Sequence, residues 1–207
     1  MPARRLDPTT TRRLVVAGAT FVILIGLGAV ARRTAVSQFE LDVFRWVNGW
    51  PDVIARPLWL VMQLGSLWGG LVTGVVVMAV LRGWRGALAG AVAAASAWAF
   101  AIIDKAWVSR GRPADYLATV DSRFEHLPTG NGYPSGHTAV AFAVATLVAG
   151  SLRGRWRVVP YVLATMVGVG RLYFGAHLPL DVVGGAALGV AVGTLCRFLV
   201  IDPVDRI

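Results

Sequence analysis

Cysteine and charge are both scarce in this sequence, and each scarcity excludes a class of protein. The single cysteine, Cys196, lies inside an apolar run, so the chain has no disulfide framework and no cysteine-based metal site. Only 15% of the 207 residues are charged, whereas 56% are hydrophobic. This composition lies outside the range of soluble domains and indicates an integral membrane protein.

Acidic residues are fewer than basic ones, 11 against 20, which gives a formal net charge of +9. The basic residues are scattered between apolar runs and form no continuous basic face, so nucleic acid is not an expected partner. The sequence has only three histidines, and its carboxylates do not cluster in a metal-binding pattern.

Long apolar runs are abundant. The run from Leu14 to Ala31 is long enough to span a bilayer and follows an arginine-bearing tail over residues 1–13. A cleaved signal sequence is the alternative, but the length of the run and the arginine pairs on both sides favour a retained span. Five further spans are predicted, from about Leu58 to Leu81, Ala87 to Ile103, His137 to Leu152, Val158 to Val169 and Leu180 to Val200.

The sequence therefore predicts an all-α bundle of six transmembrane helices in one domain over residues 1–207. Residues 34–57 mix apolar with charged side chains and carry Trp46 and Trp50, which suit a headgroup layer, so we predict a short interfacial segment there. Glycines at four-residue spacing predict close approach of neighbouring helices. These are Gly65 with Gly69, Gly70 with Gly74, and the series Gly185, Gly189 and Gly193.

Charge predicts the orientation of the six spans. The side that holds the tail, the Arg82 turn, the Arg153 turn and the carboxyl end collects 11 of the 20 basic residues and 3 of the 11 acidic ones. By the positive-inside rule this side is cytoplasmic. We therefore expect both termini in the cytoplasm of a multi-pass plasma-membrane protein and the opposite loops at the outer face.

The stretch from Arg171 to Asp181 places three ionisable side chains beside the mouth of the last span. Arg171 offers a charged fork suited to phosphate, and Asp181 follows His177 by about one helical turn, as an orienting partner would. Pro179 predicts that the helix begins near His177. Interfacial anchoring or packing is the alternative, which is weaker because three ionisable groups at membrane depth are expensive and usually functional.

Two further groups are predicted at the same outer face. Ser135 and Gly136 are typical of a helix start, with Ser135 as the N-cap, and the exposed amides there suit an anion beside His137. An ordinary capped helix is the alternative. Lys105 and Arg112 emerge from the long polar loop over residues 104–134, with snorkelling cations as the alternative. We predict that three other loop residues are merely solvated: Arg110, Arg123 and His126.

In these residues the sequence resembles the type 2 phosphatidic acid phosphatases, membrane lipid-phosphate phosphatases related to glucose-6-phosphatase and the vanadium haloperoxidases. Three motifs carry the resemblance, which covers about residues 87–199 and has its core at 105–181. They stand here as Lys105-x6-Arg112-Pro113, Pro134-Ser135-Gly136-His137 and Arg171-x5-His177-x3-Asp181. One departure is Gly170, where the family pattern has a serine and a secondary phosphate or orienting contact is therefore missing.

The resemblance implies an enzyme mechanism with no metal and no other cofactor. His177 would attack phosphorus and form a phosphohistidine, Asp181 would hold its tautomer, and His137 would protonate the leaving oxygen. Phosphate binding would fall to Lys105, Arg112, Arg171 and the amides around Ser135 and Gly136.

The expected function is hydrolysis of a phosphomonoester or diphosphate of a lipid, of the phosphatidate or polyprenyl diphosphate type, at the outer face. A non-enzymatic transporter or lipid-binding protein with the same phosphate cradle is the alternative. It is disfavoured because binding alone does not require two histidines with an aspartate. A haloperoxidase is a third possibility, but six spans without a soluble body suit a lipid better.

Overall fold

The computed structural model describes residues 8–33, 35–123 and 128–201. Within these ranges all regular structure is helical and no strand forms, which confirms the predicted all-α class. The α-helices are α1 (Pro8–Arg33), α2 (Gln38–Asn48), α3 (Ala55–Met62), α4 (Leu67–Val108), α5 (Pro113–Tyr116), α6 (Gly136–Ser151), α7 (Val158–Tyr173) and α8 (Pro179–Cys196).

Three segments in the described part of the chain are helical, long and apolar enough to cross a membrane. They are Leu14–Arg33, Leu67–Tyr116 and Pro179–Ile201. The apolar helix α6 has only 16 residues. The six-span count therefore stays a prediction. Helix α1 begins at Pro8, within the predicted tail, and residues 1–7 of that tail lie outside the described residues.

Helix α4 is a hairpin of two helices that meet at Gly83. The φ of 64° and ψ of −157° at this residue are not helical, and glycine adopts a positive φ without steric cost. Across the hairpin Gly74 and Gly90 lie in contact, since a Cβ built on Gly74 would be 3.0 Å from the Gly90 carbonyl oxygen. The predicted turn at residues 82–85 is thus confirmed.

The second predicted span differs from the structure, because the run that begins at Leu58 is interrupted. Helix α3 ends at Met62, and α4 begins at Leu67 after a short 3₁₀ turn. Ser66 is the physical reason, since its Oγ accepts a hydrogen bond from the Gly69 amide at 3.0 Å and so caps a new helix. Hydropathy alone does not show such a break.

Helix α6 lies at the centre of the bundle and packs against α4, α7 and α8. Its contact with α8 is close because Gly185, Gly189 and Gly193 face α6 in turn, where added Cβ atoms would meet the carbonyl oxygens of Ser135, Ala139 and Ala143. The predicted close approach along this glycine series is confirmed. The two helices run parallel, so both begin at the same end of the bundle.

Helix α2 is amphipathic and begins at the N-cap Ser37, whose Oγ accepts from the Glu40 amide at 3.2 Å. Phe44 and Val47 on one face are buried, whereas Trp46 on the other face is 68% exposed. This is the helix that forms within the predicted interfacial segment. Its buried face also carries the carboxylate of Glu40.

Candidate active site

His177 and Asp181 form a buried pair where the chain enters α8. His177 lies in the turn after α7, Asp181 lies in the first turn of α8, and His177 Nδ1 is 3.3 Å from Asp181 Oδ2. The same oxygen accepts the Leu178 amide at 2.9 Å. Helix α8 begins at Pro179, two residues later than predicted, because proline is suited to the first helical position. The spacing of four residues therefore brings the two side chains together as expected.

The environment of His177 keeps its imidazole neutral. Burial lowers the pKa of His177 well below its ordinary value, and the positive charges of Arg171, Lys105 and Arg112 lower it further. A carbonyl contact with Gly132 acts in the opposite direction but does not reverse the shift. At neutral pH one ring nitrogen therefore carries a lone pair, as nucleophilic attack requires.

The start of α6 lies directly beside this pair. Ser135 occupies the N-cap position as predicted, but its side chain makes no capping bond, and its Oγ instead accepts from Thr138 Oγ1 at 3.0 Å. The reason is complete burial of Ser135 against α8, where its amide donates to the Asp181 carbonyl at 2.8 Å. That amide is engaged, so the Gly136 amide is the better placed of the two for an anion. The ring centroid of His137 lies 5.9 Å from that of Trp98.

The first two predicted phosphate ligands hold the loop that precedes α6. Lys105 Nζ donates to the carbonyls of Asn131 at 2.9 Å and Gly132 at 2.7 Å. Arg112 donates from Nε to two carbonyls of the same loop and from Nη1 to the Ala176 carbonyl at 2.7 Å. Arg112 therefore contacts the residue before His177, whereas Lys105 holds the loop before α6 and retains a third N–H.

Arg171 is the third predicted phosphate ligand, and it lies in the last turn of α7, which runs four residues beyond the predicted end at Val169. It is buried, with Nη1 3.5 Å from the sulfur of Met62. The preceding Gly170 packs against Leu58, because a Cβ built there would be 3.4 Å from Leu58 Cγ. A serine at this position would thus place its Cβ beside an apolar side chain.

Two of the three residues predicted to be solvated are not solvated. Arg110 is only 4% exposed and forms ion pairs with Asp181, at 3.0 Å, and with Glu40, at 2.6 Å. The guanidinium of Arg123 lies over the ring of Tyr173 and donates to three backbone carbonyls. The prediction was wrong because most of the partners lie far along the chain, at 70 residues in the case of Arg110 and Glu40. His126 lies outside the described residues.

Sequence reasoning missed Glu40 and Arg110 as members of this cluster. The available signal was the position of Glu40, which shares a helical face with the buried apolar residues Phe44 and Val47, four and seven residues further along the chain. A carboxylate on an apolar face needs a buried partner. No metal-binding group of three or more His, Cys, Asp or Glu side chains is found within residues 8–33, 35–123 and 128–201.

Residues 84–202 match the PAP2 superfamily, and this segment is more than half of the chain. The chain belongs to the PAP2 superfamily. The matched segment contains all three motifs, so the resemblance stated from the motifs is confirmed at the level of the family.

Two curated relatives of this PAP2 protein are phosphatases of lipids. Lipid A 1-phosphatase of Porphyromonas gingivalis is 46% identical over 68 residues, which are 31% of this chain and 15% of the relative. Decaprenylphosphoryl-5-phosphoribose phosphatase of Mycobacterium tuberculosis is 33% identical over 114 residues, which are 55% of this chain and 59% of the relative. The chain thus matches less than two thirds of the length of either relative.

Solved structures match over almost their whole length. Aquifex aeolicus LpxE superimposes with a TM-score of 0.69 at 25% identity, covering 81% of this chain and 98% of LpxE. A transmembrane PAP2-type phosphatidylglycerolphosphate phosphatase of Bacillus subtilis superimposes with a TM-score of 0.70, covering 88% and 94%; at 23% identity this supports the fold alone. The fold is that of the transmembrane PAP2 phosphatases.

Proposed function

We propose that this PAP2 protein is a membrane lipid phosphatase that hydrolyses a phosphomonoester or diphosphate of a lipid through a phosphohistidine. The observation that carries the proposal is the buried His177–Asp181 pair, 3.3 Å apart, at the end of the bundle where α6 presents His137. The lipid phosphatases among the relatives support the substrate class.

The first chemical step is attack by His177 on phosphorus. With Asp181 beside Nδ1, the proton stays on that nitrogen and Nε2 supplies the electron pair for the new P–N bond. The bond from phosphorus to the leaving oxygen breaks, and His137 donates a proton to that oxygen. In the second step water loses a proton to His137 and attacks phosphorus, which breaks the P–N bond and releases inorganic phosphate.

Stabilisation of the transferring phosphoryl group is the role proposed for the cations. Lys105, Arg112 and Arg171 would offset the charge on its equatorial oxygens, together with the Gly136 amide and the Ser135 hydroxyl. The positive charges of Arg171, Lys105 and Arg112 lower the pKa of His177, which supports a shared role with this histidine. No step of this sequence requires a metal ion.

Phosphate release from a lipid panel tests this proposal. In detergent, the purified protein is expected to release phosphate from at least one of phosphatidate, phosphatidylglycerol phosphate and polyprenyl mono- or diphosphate. Excess chelator should leave turnover unchanged, and vanadate should inhibit, since it adopts a five-coordinate geometry in a phosphate site. Loss of turnover in chelator with recovery on a divalent cation would contradict the phosphohistidine route.

The proposed topology has six spans in a single domain, with both termini in the cytoplasm and the site at the outer face. It rests on the excess of basic residues at one end of the predicted bundle. The loop with Ala118 then lies outside, and the turn with Trp156 lies inside. Both side chains are exposed.

Cysteine labelling measures this orientation. In a Cys196→Ala background, Ala118→Cys should react with an impermeant thiol reagent added to intact cells. Trp156→Cys is the matched control at the other end of the bundle, and it should react only after permeabilisation. Labelling of Trp156→Cys in intact cells, with Ala118→Cys labelled only after permeabilisation, would show the opposite topology, with the site at the cytoplasmic face.

A further inference from the structure

A chain of buried polar contacts extends from the reacting histidine to helix α2. Asp181 Oδ2 faces His177, and Oδ1 pairs with Arg110 Nη1 at 3.0 Å. The two terminal nitrogens of Arg110 then bind both oxygens of Glu40, at 3.0 and 2.6 Å. Glu40 Oε1 also accepts the Leu180 amide at 2.8 Å, next to Asp181 in the first turn of α8. The contacts therefore form a closed loop around the N-terminus of α8.

The contacts of the Asp181 carboxylate hold its side chain in one orientation. Its side chain is fully buried, and an ionised carboxylate at such a position requires charged or hydrogen-bonded partners. Because Arg110 binds Oδ1 and the Leu178 amide binds Oδ2, the carboxylate cannot rotate without breaking a bond. Its plane is thus held with Oδ2 toward His177.

Glu40 in turn holds the guanidinium of Arg110 in one orientation. A guanidinium that binds both oxygens of a carboxylate is held in one plane, and its charge is balanced locally. Since Glu40 comes from α2 and also binds the α8 backbone, the docking of this amphipathic helix is coupled to the geometry of Asp181.

Direct contact of Arg110 with substrate is the competing role. Its Nε has no hydrogen-bond partner within the described part of the chain. However, both terminal nitrogens are taken by carboxylates, and the side chain is only 3% exposed. A guanidinium that already balances Glu40 and Asp181 contributes little net charge to a phosphate.

We propose that Arg110 and Glu40 are positioning residues for the His177–Asp181 pair. They act through Asp181 and do not touch substrate. The expected effect on kcat rests on the proposed function. The expected structural effect, a single fixed tautomer of His177, can be measured without turnover.

A double-mutant cycle distinguishes positioning from substrate contact. Arg110→Gln should lower kcat by about 10- to 100-fold, by analogy with removal of the outer partner of a metal-ligating histidine, with KM little changed. In an Asp181→Asn background, Arg110→Gln should lower kcat by less than about 3-fold, because the group through which Arg110 acts is already impaired. Equal losses in both backgrounds, or a rise in KM alone, would assign Arg110 to substrate binding and overturn the proposal.

Arg123→Gln is the matched control, since Arg123 is another largely buried arginine of the same loop, and its ion pairs are with Asp52 and Asp121. It should lower thermal stability while leaving kcat within about 3-fold. If Arg110→Gln does not fold because Glu40 is left buried and unpaired, the neutral pair Glu40→Gln with Arg110→Gln replaces it in the cycle.

The tautomer of His177 is the readout that does not depend on activity. With only three histidines in the chain, ¹⁵N-histidine spectra in detergent can be assigned with the His177→Ala variant. The unmodified protein should show one neutral tautomer at His177, with the proton on Nδ1, and Arg110→Gln should show a mixture. An unchanged tautomer in Arg110→Gln overturns positioning, whereas a changed tautomer in a protein that releases no phosphate overturns the proposed function alone.

Discussion

His177→Ala is expected to abolish turnover of every phosphate ester, including p-nitrophenyl phosphate if the site accepts it. The substitution removes the atom that we propose attacks phosphorus, so a better leaving group should offer no rescue. We expect a loss on the order of 10⁶-fold, the size associated with removal of a nucleophile. The measurement is kcat on the natural and the activated substrate. Trapping of ³²P-labelled protein with an alkaline quench accompanies it, because the P–N bond of phosphohistidine is labile in acid.

His137→Ala is the informative comparison, because it removes only the proposed proton donor. General acid catalysis contributes about 10²- to 10⁴-fold, and this loss should shrink for p-nitrophenyl phosphate, whose leaving group needs no proton. Asp181→Asn should keep the fold, mis-set the His177 tautomer and give a loss between those of the two histidine variants. Rescue of His177→Ala, and not of His137→Ala, by the activated ester would exchange the two roles.

Gly189→Leu separates α8 from α6 and is expected to cause the largest loss of stability. An added Cβ would meet the Ala139 carbonyl and lie 2.9 Å from the Ala143 amide nitrogen, so the backbone of α6 must move. Overpacking costs about 1–3 kcal/mol where side chains can adjust, and we expect at least the upper value here. Thermal unfolding in detergent should show a fall in Tm of roughly 10 °C, with loss of activity because both helices begin at the site.

Gly18→Leu is the control for that change. Gly18 lies in an apolar helix, and a Cβ built on it would have no atom within 4 Å. The same increase in size should therefore leave Tm within about 2 °C and activity intact. Equal destabilisation by the two substitutions would show that leucine itself, and not the contact between α6 and α8, is responsible.

The sequence was sufficient to predict those features that depend on local spacing. A separation of four residues across a helix start predicts that His177 and Asp181 lie close together, and their side chains are 3.3 Å apart. Likewise, the glycine series of α8 predicts a close helix contact, because the absence of a Cβ at each fourth position leaves a groove. The turn at Gly83 follows from charge and glycine between two apolar runs.

Tertiary structure alone decided which distant residues complete the cluster. Arg110 and Arg123 look like solvated loop cations in sequence, and burial of each follows from partners contributed by other elements, such as Glu40 on α2. The interruption between α3 and α4 was also visible only in the structure, since Ser66 caps a new helix inside a run whose hydropathy is continuous. The sequence by itself therefore determined the helical class, the motifs and the pair at α8, because these depend on spacing along one element. The partners of a buried charge depend on how elements pack, and that was decided only in three dimensions.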